Sequence, residues 1–213
     1  GCTSITNLQL PESVVNINDK AFGDCTGITR IFIPKNVYSM FSGNFHPFCG
    51  CTAIDSIEVD SDNADFKSEN NFLLKKDGTT LYVACKNSGQ IPQSVTSISK
   101  YAFYGIQTLT SVVIPEGVRM IGTCAFRDCA SLAQVNIPNS VTSIEDEAFA
   151  NTGLVDFVIP NNVTNLGKNM FLECSKLKNV TLPSAFRIFN STWFVNCPQL
   201  ESIKIDGEHK DFI

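Results

Sequence analysis

The chain has 213 residues, 43% hydrophobic and only 17% charged, a balance that suits a folded protein and argues against disorder. Its formal net charge of −5, with 16 Lys and Arg scattered singly apart from Lys75-Lys76, argues against nucleic acid or anionic lipid as the main partner, because both select clustered cations. No apolar run approaches the roughly 20 residues of a membrane-spanning helix. Gly1-Cys2-Thr3-Ser4 opens directly on patterned sequence, without a visible signal peptide.

Prolines divide the chain into units. They stand at Pro11, Pro34, Pro92, Pro115, Pro138, Pro160 and Pro183, so that successive units outside the gap after Pro34 span 23, 23, 23, 22 and 23 residues. Three places after each proline come Val14, Val37, Val95, Val118, Val141, Val163 and Phe186. Six places after it come Ile17, Met40, Ile98, Ile121, Ile144, Leu166 and Phe189. An Ala-Phe pair follows at Ala21-Phe22, Ala102-Phe103, Ala125-Phe126 and Ala148-Phe149, with Met170-Phe171 and Trp193-Phe194 in the same places. Each unit closes on L-x-x-V-x-I-P, as in Leu132-x-x-Val135-x-Ile137-Pro138.

V-x-I with alternating polar residues reads as a strand with one buried face, and Val-Thr-Ser-Ile as a second short strand. The Asp-x-x-Ala-Phe stretch between them reads as one helical or 3₁₀ turn. A unit this small cannot enclose its own apolar side chains, so successive units stack and bury like on like. The fold expected is a solenoid, mostly β with parallel sheets and short helical or 3₁₀ turns, interrupted by one β-hairpin insertion. It forms a single repeat domain over 1–213: N-terminal repeats at 1–59, the insertion at 60–91, five further repeats at 92–205, and at 206–213 a tail or the start of a second insertion. The second unit closes three residues late, which predicts a loop near Ser42-Gly43-Asn44, with Phe48 and Cys51 in the aromatic and cysteine places. In the insertion, NFLLKKDGTTLYVAC reads as a hairpin turning at Asp77-Gly78.

Chemistry-bearing residues are few. Six of the 9 cysteines (Cys2, Cys25, Cys51, Cys129, Cys174, Cys197) share one repeat place, filled elsewhere by Ile106 and Asn151, and so read as reduced packing residues. Cys49, Cys85 and Cys124 lie off that column and could pair. Asp60-x-Asp62-Asn63-x-Asp65 lacks the glycine and terminal Glu of a calcium loop and reads as a polar turn. His46 and His209 have no evident Ser or Cys partner, so a hydrolase would have to centre on His46. Neither a catalytic site nor a metal or other cofactor is expected. Sequons stand at Asn162, Asn179 and Asn190.

The residues flanking the V of V-x-I point outward and stack into two columns. One runs Arg30, Ser56, Ser111, Gln134, Asp156, Asn179, Ser202. The other runs Phe32, Glu58, Val113, Asn136, Val158, Thr181, Lys204. They vary while the inward residues hold, as a displayed surface would. Phe32, Val113 and Val158 are the apolar anchor candidates on it.

The unit Ile137 to Ile159 resembles, nearly residue by residue, the BspA-like (treponemal) leucine-rich repeat IPxSVTSIxxxAFxxCxxLxxVxI. The hairpin over Val59 to Leu81 is similar to one that recurs between repeats of that family. The resemblance covers nearly the whole chain. It implies a cell-surface or secreted, monomeric protein-binding or adhesion module. Its ligand would be a protein, such as one on a host or neighbouring cell, met by Arg30, Phe32, Glu58, Val113, Gln134, Asn136, Asp156, Val158, Asn179, Thr181 and Lys204. The alternative is a passive spacer within a larger surface protein. Both ends read as cut from a longer array, since Cys2 stands nine before Pro11 just as Cys25 does before Pro34.

Overall fold

The computed structural model describes residues 1–41, 43–185 and 189–207. Phe186, His209, Ser42 of the expected loop, and most of the 206–213 tail lie outside those residues. The first V-x-I segments form β1 (Asn7–Gln9), β2 (Arg30–Ile33) and β3 (Ser56–Val59), paired in parallel with Asn7 beside Arg30 and Arg30 beside Ser56. A slip of one residue would turn Ile31 and Ile57, both buried, out to water, so the hydrophobic pattern sets the register.

The insertion is a three-stranded antiparallel meander, β4 (Phe66–Glu69), β5 (Phe72–Lys75) and β6 (Thr80–Ala84). The expected hairpin is its β5–β6 half, with Gly78 at φ 79° in the turn. The other half turns on Asn70 and Asn71, at φ 52° and 62°, the left-handed pair that a two-residue hairpin loop needs. β5 is buried on both faces. Leu73, with Phe66 and Val83, packs on the N-terminal core of Ile31, Val37, Phe48 and Ile57; Phe72, Leu74 and Leu81 pack on the C-terminal core of Val95, Ile98 and Phe103. The meander is thus a wall between two cores. Buried Asn63 anchors it to the preceding unit: its Nδ2 donates to the Pro34 and Val37 carbonyls, both at 2.9 Å, while its Oδ1 accepts the Asp65 and Phe66 N–H groups.

Beyond the wall the two kinds of strand alternate: β7 (Ser97–Ile98), β8 (Ser111–Val113), β9 (Met120–Ile121), β10 (Gln134–Asn136), β11 (Ser143–Ile144), β12 (Asp156–Val158), β13 (Asn165–Leu166), β14 (Asn179–Leu182) and β15 (Ser202–Ile205). The Val-Thr-Ser-Ile strands form one sheet in the order β13-β11-β9-β7-β6-β5-β4, so β6 stands in for a regular rung beside β7. The V-x-I strands form separate sheets, β10-β8 and β12-β14-β15.

The break between β10 and β12 falls at the unit that is one residue short. There the cysteine place belongs to Thr152, correcting the assignment to Asn151. Thr152 is buried and its hydroxyl lies 3.3 Å from Cys174 Sγ, whereas Asn151 is exposed and bonds Asp128. The missing residue therefore lies between Thr152 and Leu154, around Gly153, where a Cβ would stand 2.4 Å from the Ala130 carbonyl oxygen. Phe157 replaces the usual Val of this unit. Its ring stands between Phe149 and Phe171, 4.9 Å from each, while Phe103, Phe126 and Phe149 stack in sequence at 4.7 and 5.3 Å.

No helix or 3₁₀ segment occurs among the described residues, so the helical turn expected at Ala-Phe is replaced by an arch. Most arches hold two left-handed residues, such as Cys124 and Asp128 (φ 55° and 62°) or Glu147 and Asn151 (57° and 52°). The reason lies in the hydrogen bonds. The N–H groups of Cys124, Phe126 and Asp128 donate to Asp146, Ala148 and Ala150 of the next rung at 2.9, 2.8 and 3.0 Å. A helix would turn those donors back into its own unit.

Candidate binding face

The two outward columns are real rows in the structure, aligned residue against residue: Arg30 with Ser56, Phe32 with Glu58, Ser111 with Gln134, Val113 with Asn136, Asp156 with Asn179 and Ser202, Val158 with Thr181 and Lys204. Asn7 and Gln9 of β1 head the same rows, which the proline count had started one rung late. The rows run across three sheets rather than one, interrupted after β3 and again after β10.

Within the rows Val113 and Val158 are 72% and 62% exposed, whereas Phe32 and Thr181 are half-buried. Arg30, Glu58, Gln134, Asn136, Asp156, Asn179 and Lys204 are exposed. Asn179 Nδ2 donates to Asp156 Oδ1 at 2.6 Å, a cross-strand pair that fixes both side chains.

Elsewhere, candidate chemistry resolves into structure. His46 is buried, its Nδ1 accepting the Phe48 N–H at 3.1 Å and its Nε2 lying 3.2 Å from the Tyr101 carbonyl, so the ring bridges the second unit to the units beyond the insertion. Burial lowers its pKa to about 4, which leaves it neutral and committed. In the acidic stretch, Asp60 Oδ1 accepts the Asp62 N–H at 2.9 Å, a local turn bond. No group of three or more metal-ligating side chains occurs among the described residues.

All nine cysteines are free thiols, Cys49, Cys85 and Cys124 included. In the shared column four of the six thiols reach the carbonyl of the aromatic residue one unit earlier: Cys51 to Phe22 at 2.9 Å, Cys129 to Phe103 at 3.0 Å, and Cys174 to Phe149 and Cys197 to Phe171, both at 3.1 Å. Burial pushes the Cys51 and Cys129 thiols up to about 12, which keeps the S–H donor in place. Thr152 joins this hydrogen-bonded column through its own unit, its hydroxyl donating at 2.9 Å to the Phe149 carbonyl that Cys174 also reaches.

Sequence reasoning missed an opening beside β8. A recess of about 310 Å³ lies there, lined by Ile91, Phe103, Leu109, Val112 and Val113 among others. The signal was present: Leu81 stands eleven before Pro92, whereas the equivalent Ile98 stands seventeen before Pro115, so the returning chain is too short to form a full rung.

Short parallel strands stacked at one fixed spacing, with in-register apolar columns, define a leucine-rich repeat solenoid. The family model for the BspA type leucine rich repeat region matches in six copies over residues 1–76 and 82–212, and the chain belongs to that family. Among solved structures it is similar to the pneumococcal vaccine antigen PcpA (25% identity, TM-score 0.81), over 94% of this chain and 56% of that one. It shares its fold with a leucine rich cell surface protein of Faecalibacterium prausnitzii A2-165 (24%, TM-score 0.80), over 97% and 61% of the two chains. A leucine-rich repeat protein of Eubacterium ventriosum aligns with TM-score 0.59 at 21% identity, over 93% and 63%. The chain thus spans less than two thirds of each of these relatives. No curated protein matches it. No described helix is long and apolar enough to cross a membrane.

Proposed function

We propose that the chain is a protein-binding module of a cell-surface or secreted adhesion protein, and that the outward rows are its contact face. The observation that carries this reading is the contrast within each V-x-I strand. Inward residues are uniformly aliphatic or aromatic and mostly buried, whereas outward ones differ from rung to rung and include Val113 and Val158, held largely in water. A surface kept only for solubility would place polar groups there, and exposed apolar side chains on a rigid sheet suit a protein contact. Membership of a repeat family that generally serves protein interaction supports the same reading. The partner is a protein, such as one on a host or neighbouring cell.

The test compares retention on intact cells of the native chain and of the triple variant Phe32→Ser, Val113→Thr, Val158→Thr, with parallel thermal melts. Retention by a protease-sensitive receptor should drop about tenfold or more in the variant at an unchanged fold. Equal retention would sink the assignment of this face.

A further inference from the structure

We propose that the unpaired edge of β8 receives an extended peptide segment of the protein partner, which joins the displayed sheet as an added strand. This rests on the reading that the displayed face binds protein, and it specifies the chemistry of the contact.

In the paired rungs other than β10 the first outward residue donates its N–H to the rung before: Arg30 to Thr6 O at 3.1 Å, Ser56 to Thr29 O and Asn179 to Val155 O at 3.2 Å, Ser202 to Lys178 O at 3.0 Å. Ser111 holds the equivalent place and has no such acceptor. β8 pairs with β10 alone, and no other backbone hydrogen bond reaches Ser111, Val112 or Val113 among the described residues.

The cause is the returning chain of the insertion. At Lys86 it is still on the ladder, its N–H bonded to Ile54 O at 2.9 Å and its carbonyl accepting the Thr108 hydroxyl at 3.1 Å. It is then drawn aside to the β4–β5 turn, with Ser88 Oγ donating to Asn71 O at 2.8 Å and Gly89 N–H to Asn70 O at 3.0 Å. The recess of about 310 Å³ opens between that detour and β8, over a floor of Phe72, Ile91, Phe103, Ile106, Leu109 and Val112.

Edges of sheets are ordinarily blunted by proline, lysine or a bulge. β8 reads Ser-Val-Val and carries none of these, with Val113 72% exposed. Its edge is only three residues, about 10 Å long at 3.3 Å per residue. That is far too small for a second copy of the chain, since a stable dimer buries about 1,200 Å² or more. It suits a linear segment bound through its main chain. Strand alternation sets the side-chain pattern: a central aliphatic or aromatic residue turned down into the recess, flanked by residues facing outward.

The probe is the acetylated and amidated peptide LTSVVIP, residues 109–115 of the array itself. The stacking rule of the solenoid would set its Ser against Ser111 and its second Val against Val113. Amide hydrogen exchange by NMR on the whole chain should slow about tenfold at Ser111 and Val113 when the peptide saturates. The effect should be lost in Val113→Pro, which removes only an N–H lacking a partner at a sheet edge, and kept in Val113→Thr. A peptide N-methylated at its valines should fail as well, which holds the test open if the proline variant misfolds. Equal binding by the N-methylated peptide, no protection at millimolar peptide, or protection arising from self-association would each overturn the proposal. The wider face reading is tested separately by the triple variant, in which the Val113→Thr change leaves the backbone N–H in place, so the two can fail independently.

Discussion

The stack is interrupted twice, and the two interruptions are absorbed differently. The displayed sheet parts at both seams, after β3 and after β10. At the insertion the hydrophobic core also divides in two, around β5, while β6 takes a rung place beside β7 in the second sheet. At the short unit the core continues without a break, because Phe157 packs between Phe149 and Phe171, and the second sheet runs on from β11 to β13. Continuity of the displayed sheet and continuity of the core are therefore separable in this fold.

This contrast is put at greatest risk at the wall. Phe72→Ala should cost about 3–5 kcal/mol and Leu73→Ala about 2–5 kcal/mol in denaturant melts, because the two side chains fill different cores. If only one of them matters, β5 is not a partition. Next comes acid. His46 is held at about 4 in the folded chain against an ordinary 6.5, so the unfolded state takes up the proton first. Stability should be whole above pH 6.5 and fall by up to about 1.4 kcal/mol per pH unit as pH drops toward 4. His46→Gln should flatten that slope, and a slope that persists in this variant would place the acid sensitivity elsewhere.

At the other seam, Phe157→Val should cost about 2 kcal/mol, from the transfer of the ring and the cavity it leaves. A neutral result would mean that the neighbouring rings close the gap unaided. The smallest effect belongs to the regular arches. Glu173 is left-handed at φ 63°, so Glu173→Gly should gain about 0.5–1 kcal/mol by relieving its Cβ. A loss would show that its side chain does more than occupy the turn.

Much of this architecture was legible because the spacing is nearly constant. A fixed count from each proline forces Val37, Val95, Val118 and Val141 into one column, and all four are fully buried. The outward rows follow from strand alternation alone. The arches were not legible, since Ala-Phe flanked by polar residues looks helical until one asks where its N–H groups go. β4 was missed because its turn is only Asn70-Asn71, and the two-sided burial of β5 because Phe-Leu-Leu shows no alternation. The β8 edge escaped for a different reason. It is defined by a hydrogen bond that is not made, and the side-chain pattern of β8 matches that of its paired neighbours.

The arches have a consequence for how such a chain can evolve. Arch donors point to the following rung and strand donors to both neighbours, as Asp60 does to the Ile33 carbonyl before it and Ile159 to the Thr181 carbonyl after it, so a rung alone satisfies few of its own backbone groups. A duplication or loss of whole units in the gene rejoins like with like and leaves no donor stranded. A change of part of a unit must improvise, as Phe157 and β6 do here. Length in this protein is therefore a quantity edited in steps, with every fractional step leaving a visible scar.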